Sequence, residues 1–163
     1  MTVELYRHQK SKNIDISLHG VDKNLPSKWK KASKFIEPAI KRTGGTYDLE
    51  SVTKMVLDGR YHLWLIFEEK KVKKRKSKKL ICAFLTEFVI YPSGKRVCAM
   101  PFLGGKDMLK YVWMYDIVKG FAKANQCEEV ELFLRKGWQR VFKQFECFNN
   151  SKEYYISVRS KVL

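Results

Sequence analysis

Residues 61–103 constrain this chain more than any other stretch. "YHLWLIFEE" (61–69), "LICAFLTEFVIY" (80–91) and "KRVCAMPFL" (95–103) are three strand-length runs rich in aromatic and β-branched residues. A lysine run joins the first two, and "PSG" (92–94) makes a tight turn between the second and third. The spacing predicts an antiparallel meander, with the lysines on an exposed hairpin loop.

The flanking segments add helices. In "NIDISLH" (13–19), Ile14, Ile16 and Leu18 alternate with polar residues, the period of a half-buried strand. Residues 21–28 read as a loop. From Trp29 on, Ala32, Phe35, Ile36 and Ile40 share one helical face, and Pro38 is expected to kink or split that helix. "TGGT" interrupts the pattern. "DLESVTKMVLDG" (48–59) then offers Asp48 as N-cap, Leu49, Val52 and Val56 as an apolar face, and Gly59 as a stop.

After the third strand come Gly104 and Gly105, then a helix with Leu109, Val112, Trp113, Ile117 and Phe121 at helical spacing. "EVELFL" (129–134) reads as a strand, "KGWQRVFKQF" (136–145) as a short helix and "KEYYISVRS" (152–160) as a closing strand. With no internal repeat and no linker, residues 1–163 are expected to form a single α+β domain in the order β-α-α-β-β-β-α-β-α-β.

The charge is lopsided. The net charge is +16, and residues 70–79 alone carry eight cations and no acid: Lys70, Lys71, Lys73, Lys74, Arg75, Lys76, Lys78 and Lys79. The remainder is +16 − 8 = +8, so both parts are drawn to polyanions, whether nucleic acid, an acidic protein surface or an anionic ligand. No aromatic residue interrupts the run, so phosphate contact is expected there rather than base stacking. A solvated basic loop is the plain alternative.

Cys82, Cys98, Cys127 and Cys147 form no C-x-x-C pair, and His8, His19 and His62 are scattered, so neither a metal site nor a disulfide framework is implied. Buried thiols are expected at Cys82, Cys98 and Cys127. No window approaches the ~18 apolar residues of a membrane span, and "MTVELYRHQKSKN" lacks a signal-peptide core. The expectation is a chain of the cytoplasm, or one carried in a particle assembled there.

Five segments, from about Asp48 to the C-terminus, together carry a family resemblance. They are "DLESV…LDGRYHLWLIFEE", "TEFVIYP", "FLGG", "FAKANQCEEVELF" and "RKGWQRVFKQF". In this order the chain resembles the GNAT N-acetyltransferase superfamily, and within it the GNAT-like proteins of tailed phages. The resemblance implies acetyl-CoA as cofactor, its pantetheine arm along Val97, Ala99 and Phe102. It puts the pyrophosphate on backbone N–H groups of Gly104, Gly105, Lys106, Asp107 and Met108. A glycine turn into a helix N-terminus suits an anion, although Asp107 is also an ordinary N-cap. Glu87 is the implied general base.

The sequence also departs from that pattern. "LGGKDM" lacks the usual G-x-G, Phe142 stands where many GNAT enzymes carry a proton-donating tyrosine, and Glu146-Cys147 replaces the usual glycine-aromatic pair. Two functions therefore stay open. One is a divergent acyl-CoA-dependent N-acetyltransferase. The other is a non-catalytic phage virion or assembly protein, in the host cytoplasm or the particle, binding nucleic acid or an acidic phage protein through its basic surface.

Overall fold

A computed structural model describes residues 7–8, 13–106, 113–135, 147–152 and 155–162. Its elements are β1 (Arg7–His8), β2 (Ile14–His19), α1 (Leu25–Lys41), α2 (Leu49–Leu57), β3 (His62–Val72) and β4 (Arg75–Ile90). They continue with β5 (Arg96–Gly105), α3 (Met114–Ala124), β6 (Glu129–Arg135), β7 (Cys147–Lys152) and β8 (Tyr155–Lys161). The strands follow the order β1-β2-β3-β4-β5-β6-β8-β7 in one sheet. β5 and β6 pair in parallel, while β1–β2, β2–β3, β6–β8 and β7–β8 are antiparallel. The architecture is α+β, as the sequence predicts, and the sheet is mixed and mostly antiparallel, as the GNAT resemblance implies. No helix among the described residues is long and apolar enough to cross a membrane.

By backbone contacts the chain divides into two compact units, Met1–Leu85 with Phe102–Met108, and Thr86–Pro101 with Leu109–Leu163. In the first unit, α1 and α2 bring Trp29, Ala32, Ile36, Ile40, Val52 and Val56 onto Leu63, Leu65, Ala83, Leu85 and Phe102. Each Val, Leu, Ile or Phe side chain fully buried there contributes about 1.5–3 kcal/mol. Trp29 Nε1 donates to Thr53 Oγ1 at 2.9 Å and ties the two helices together. Asp48 caps α2 as predicted, accepting from the Ser51 backbone N–H at 2.7 Å, and Gly59 follows the helix at φ +79°. Trp64 of β3 stacks on Phe84 of β4, rings 5.4 Å apart and nearly parallel.

Two expectations for this unit need correction. Pro38 does not split α1, which runs unbroken from Leu25 to Lys41. The proline withdraws one donor near the helix end, but its own carbonyl accepts from Arg42 N–H at 3.3 Å, and buried Ile36 and Ile40 hold both sides of it in the core. The helix also starts earlier, because Pro26 sits in the first turn, where a missing N–H is harmless.

The lysine run is likewise not a loop. β3 continues to Val72 and β4 begins at Arg75, so only Lys73 and Lys74 make the turn, Lys73 at φ +59°. Two ion pairs fasten the extended strand ends: Lys78 Nζ lies 3.0 Å from Asp15 Oδ2, and Lys76 Nζ 3.9 Å from Glu69 Oε1.

In the second unit, β5 and β6 run side by side and β8 pairs β6 from Glu129 opposite Lys161 to Arg135 opposite Tyr155. α3 buries Met114, Tyr115, Val118, Phe121 and Ala122. Phe88 stacks on Phe121 at 5.5 Å, and the Arg96 guanidinium lies 4.6 Å above the Phe88 ring. The β4–β5 turn closes as predicted, with Gly94 at φ +86° and its N–H donating to the Tyr91 carbonyl at 2.8 Å.

β7 has no counterpart in the predicted order, since "CFNNSK" shows no apolar alternation; among the described residues it pairs along β8 at the end of the strand order. The helices predicted to begin near Leu109 and to span 136–145 lie wholly or partly outside the described residues.

Candidate active site

The parallel β5–β6 ladder is short. It starts with Val97 opposite Glu129 and finishes with Met100 opposite Leu132. Pro101 comes next, and a residue without an N–H cannot donate another rung.

Along β6 the side chains alternate, so Glu129 and Glu131 share one face of the sheet. Both are buried, at 8% and 4% exposure, and each has a polar contact from the β4–β5 turn. Lys95 Nζ donates to Glu129 Oε1 at 2.6 Å, and Tyr91 Oη donates to Glu131 Oε2 at 3.0 Å. Carboxylates removed from water are costly without such partners. On the other flank, the register sets Lys161 opposite Glu129 and Arg159 opposite Glu131.

Glu131 thus sits one rung before the ladder ends, hydrogen-bonded to a phenol. Glu87, the carboxylate expected from the sequence, is half-buried on β4, four residues ahead of Tyr91. On the same stretch of sheet, burial pushes the Cys98 thiol up, with Cys127 and Glu87 adding and Arg96 opposing.

The glycine corner belongs to the first unit and has a packing role. A Cβ on Gly104 would lie 1.8 Å from the Phe35 carbonyl oxygen of α1, and one on Gly105 would lie 2.6 Å from the Ile81 carbonyl oxygen of β4. The Lys106 N–H, one of the expected phosphate donors, donates to that same Ile81 carbonyl at 3.3 Å. Close passage of the backbone against α1 and β4 therefore accounts for both glycines. Phe102 is a core residue, meeting Tyr47 and Tyr61 edge-on at 5.5 and 6.1 Å. Val97 and Ala99 are buried in the β5 ladder. Asp107, Met108, Phe142 and Glu146 lie outside the described residues.

Sequence reasoning missed Glu129, Glu131, Tyr91 and Lys95. A signal was present, since "EVELFL" sets two acids at a spacing of two between apolar residues. Such a strand puts its acids on one face, and their burial becomes visible only once the turn folds over them. Among the described residues, no group of three or more His, Cys, Asp or Glu side chains is arranged to hold a metal.

Among solved structures, the chain is similar to FeeM, an N-acyl amino acid synthase from uncultured soil microbes. The TM-score is 0.60 at 10% identity, over 90% of this chain and 91% of that one. An acetyltransferase from Streptococcus agalactiae matches with TM-score 0.55 at 8% identity, over 93% and 99% of the two chains. An N-acetyltransferase from Staphylococcus aureus matches with 0.52 at 11%, over 90% and 97%. The fold is the GNAT fold. No family model and no curated protein matches the sequence itself. At such identities the GNAT likeness is one of architecture, and the chemistry has to be argued from the side chains.

Proposed function

We propose that this protein transfers an acyl group from acyl-CoA to an amine. The observation that carries the reading is the β5–β6 ladder stopping at Met100 and Leu132, ahead of Pro101 and one rung past the Glu131–Tyr91 pair. A strand edge freed from its neighbour can pair its N–H and C=O groups with an extended, amide-bearing ligand. The pantetheine arm of acyl-CoA is such a ligand, and acetyl-CoA is the donor to test first.

In the reaction an amine nitrogen attacks the thioester carbonyl, the C–S bond breaks, the nitrogen gives up a proton and the sulfur gains one. Glu131 is the group that takes the amine proton, directly or through one water. Tyr91, whose hydroxyl is the donor of this pair, is the group that returns a proton to sulfur. This assignment removes the need for a donor at position 142, where phenylalanine has none to give.

The test is CoA release from acetyl-CoA with a panel of amines, comparing wild type with Glu131→Gln and Tyr91→Phe. Gln keeps an acceptor for the Tyr91 hydroxyl and loses only the base. Turnover by Glu131→Gln should fall about 100-fold, with acetyl-CoA affinity within about twofold of wild type. Unchanged turnover by Glu131→Gln would overturn the assignment of Glu131, and absence of amine-dependent CoA release by wild type would overturn the function. Glu87→Gln, assayed in parallel, separates the two carboxylates.

A further inference from the structure

The β3–β4 hairpin carries more charge than the fold requires. All ten residues from 70 to 79 are exposed, and the only apolar one, Val72 at the tip, is 66% exposed. Acidic partners are shown for Lys76 and Lys78 among the described residues, and both pairs tie the ribbon to β2 or β3. Lys70, Lys71, Lys73, Lys74, Arg75 and Lys79 complete the set of eight cations.

The ribbon's shape selects among polyanions. Successive residues of a strand point to opposite faces, so neighbours such as Lys70 and Lys71, or Lys78 and Lys79, carry positive charge on both sides of the ribbon. A flat acidic protein surface or a membrane meets only one side. A groove walled by phosphates meets both. The major groove of B-form DNA, about 12 Å wide, admits a two-stranded ribbon, whereas that of A-form RNA is too deep and narrow. The arm from residue 75 to 79 is about 16 Å long at ~3.3 Å per residue, and that length of duplex presents about nine phosphates. With no aromatic residue in the arm, single strands gain nothing from stacking.

We propose that residues 70–79 form a basic arm that enters the major groove of duplex DNA and binds the phosphates of both walls without reading sequence. The structure then explains why the lysines are ordered on strands rather than spread along a loop. Lys76 and Lys78 brace the arm, and the other six supply the contacts.

The experiment is fluorescence anisotropy of a labelled 20-base-pair duplex with the full chain, titrated between 50 and 300 mM KCl. One variant neutralises the arm (Lys70→Gln, Lys71→Gln, Lys74→Gln, Arg75→Gln, Lys79→Gln). A second removes the same charge elsewhere (Lys23→Gln, Lys30→Gln, Lys31→Gln, Lys34→Gln, Lys54→Gln). Wild type should show a log–log salt slope of about −5, the arm variant about −1, and the second variant a slope within one unit of wild type. Affinity of the arm variant at 100 mM salt should fall at least 100-fold.

Lysine footprinting of the wild type by amine acetylation, with and without duplex, does not depend on how the variants fold, and protection should centre on residues 70–79. Equal losses in both variants, no binding by wild type at 50 mM salt, or protection elsewhere would each overturn the proposal. So would equal or tighter binding to double-stranded RNA or to anionic vesicles.

Discussion

Single residues carry the sharpest consequences. His19 is partly buried, with Nε2 2.7 Å from Ser17 Oγ and a buried Nδ1 that has no hydrogen-bond partner among the described residues. Burial first, then Lys28, lowers its pKa from 6.5 to about 4, against the opposing pull of Asp22 and Asp15. The unfolded chain therefore takes up a proton near pH 6.5 that the folded chain refuses until about pH 4. His19 costs stability as pH falls through that window and no more below it. Thermal melts from pH 7 to 4 should show a shallower decline for His19→Gln than for wild type; parallel curves would refute this.

Thiols behave similarly. Burial pushes Cys82 up to about 12 and also raises Cys98 and Cys127, so these three should resist a thiol reagent at neutral pH until the protein is unfolded. Gly104→Ala should destabilise by about 3 kcal/mol or more in urea, because the Phe35 carbonyl has no room to yield. A lost activity in that variant would report on the fold and not on a phosphate site. The sequence shows two glycines ahead of a helix; it does not show that α1 and β4 press against them.

At the scale of elements, local pattern and long-range contact divided the outcome. α2 was legible because its cap, apolar face and glycine stop all lie within twelve residues. The Pro38 break failed because tertiary burial of Ile36 and Ile40 outweighs one lost hydrogen bond. The hairpin loop failed for a related reason, since Lys78 meets an aspartate 63 positions earlier in the chain. Lys78→Met takes the ammonium from a carboxylate that is only 5% exposed, and should cost about 2 kcal/mol in a urea melt. A cost near zero would mean that pairing within β3 and β4 alone holds the arm. The buried setting of Glu131 was not legible because its partner Tyr91 lies 40 positions away and belongs to a turn.

For the molecule as a whole, the order of strands and helices was legible from local patterns, and the GNAT architecture was reached through the resemblance of five segments from Asp48 on; the parallel pairing of β5 with β6 shows only in the structure. β1 and β7 escaped because the first is only two residues long and "CFNNSK" shows no apolar alternation. The positive charge adds a complication of its own, for acyl-CoA is itself a polyanion. A site for it has to be told apart from loose attraction to the +16 chain.

Calorimetric titration of acetyl-CoA into the full protein, at 50 and 300 mM salt and repeated with the arm-neutralised variant, makes that distinction. The expected result is saturable binding of one acetyl-CoA per chain that survives 300 mM salt and is unaffected by neutralising the arm. Binding that disappears with salt, or that is lost with the lysines of the arm, would contradict it.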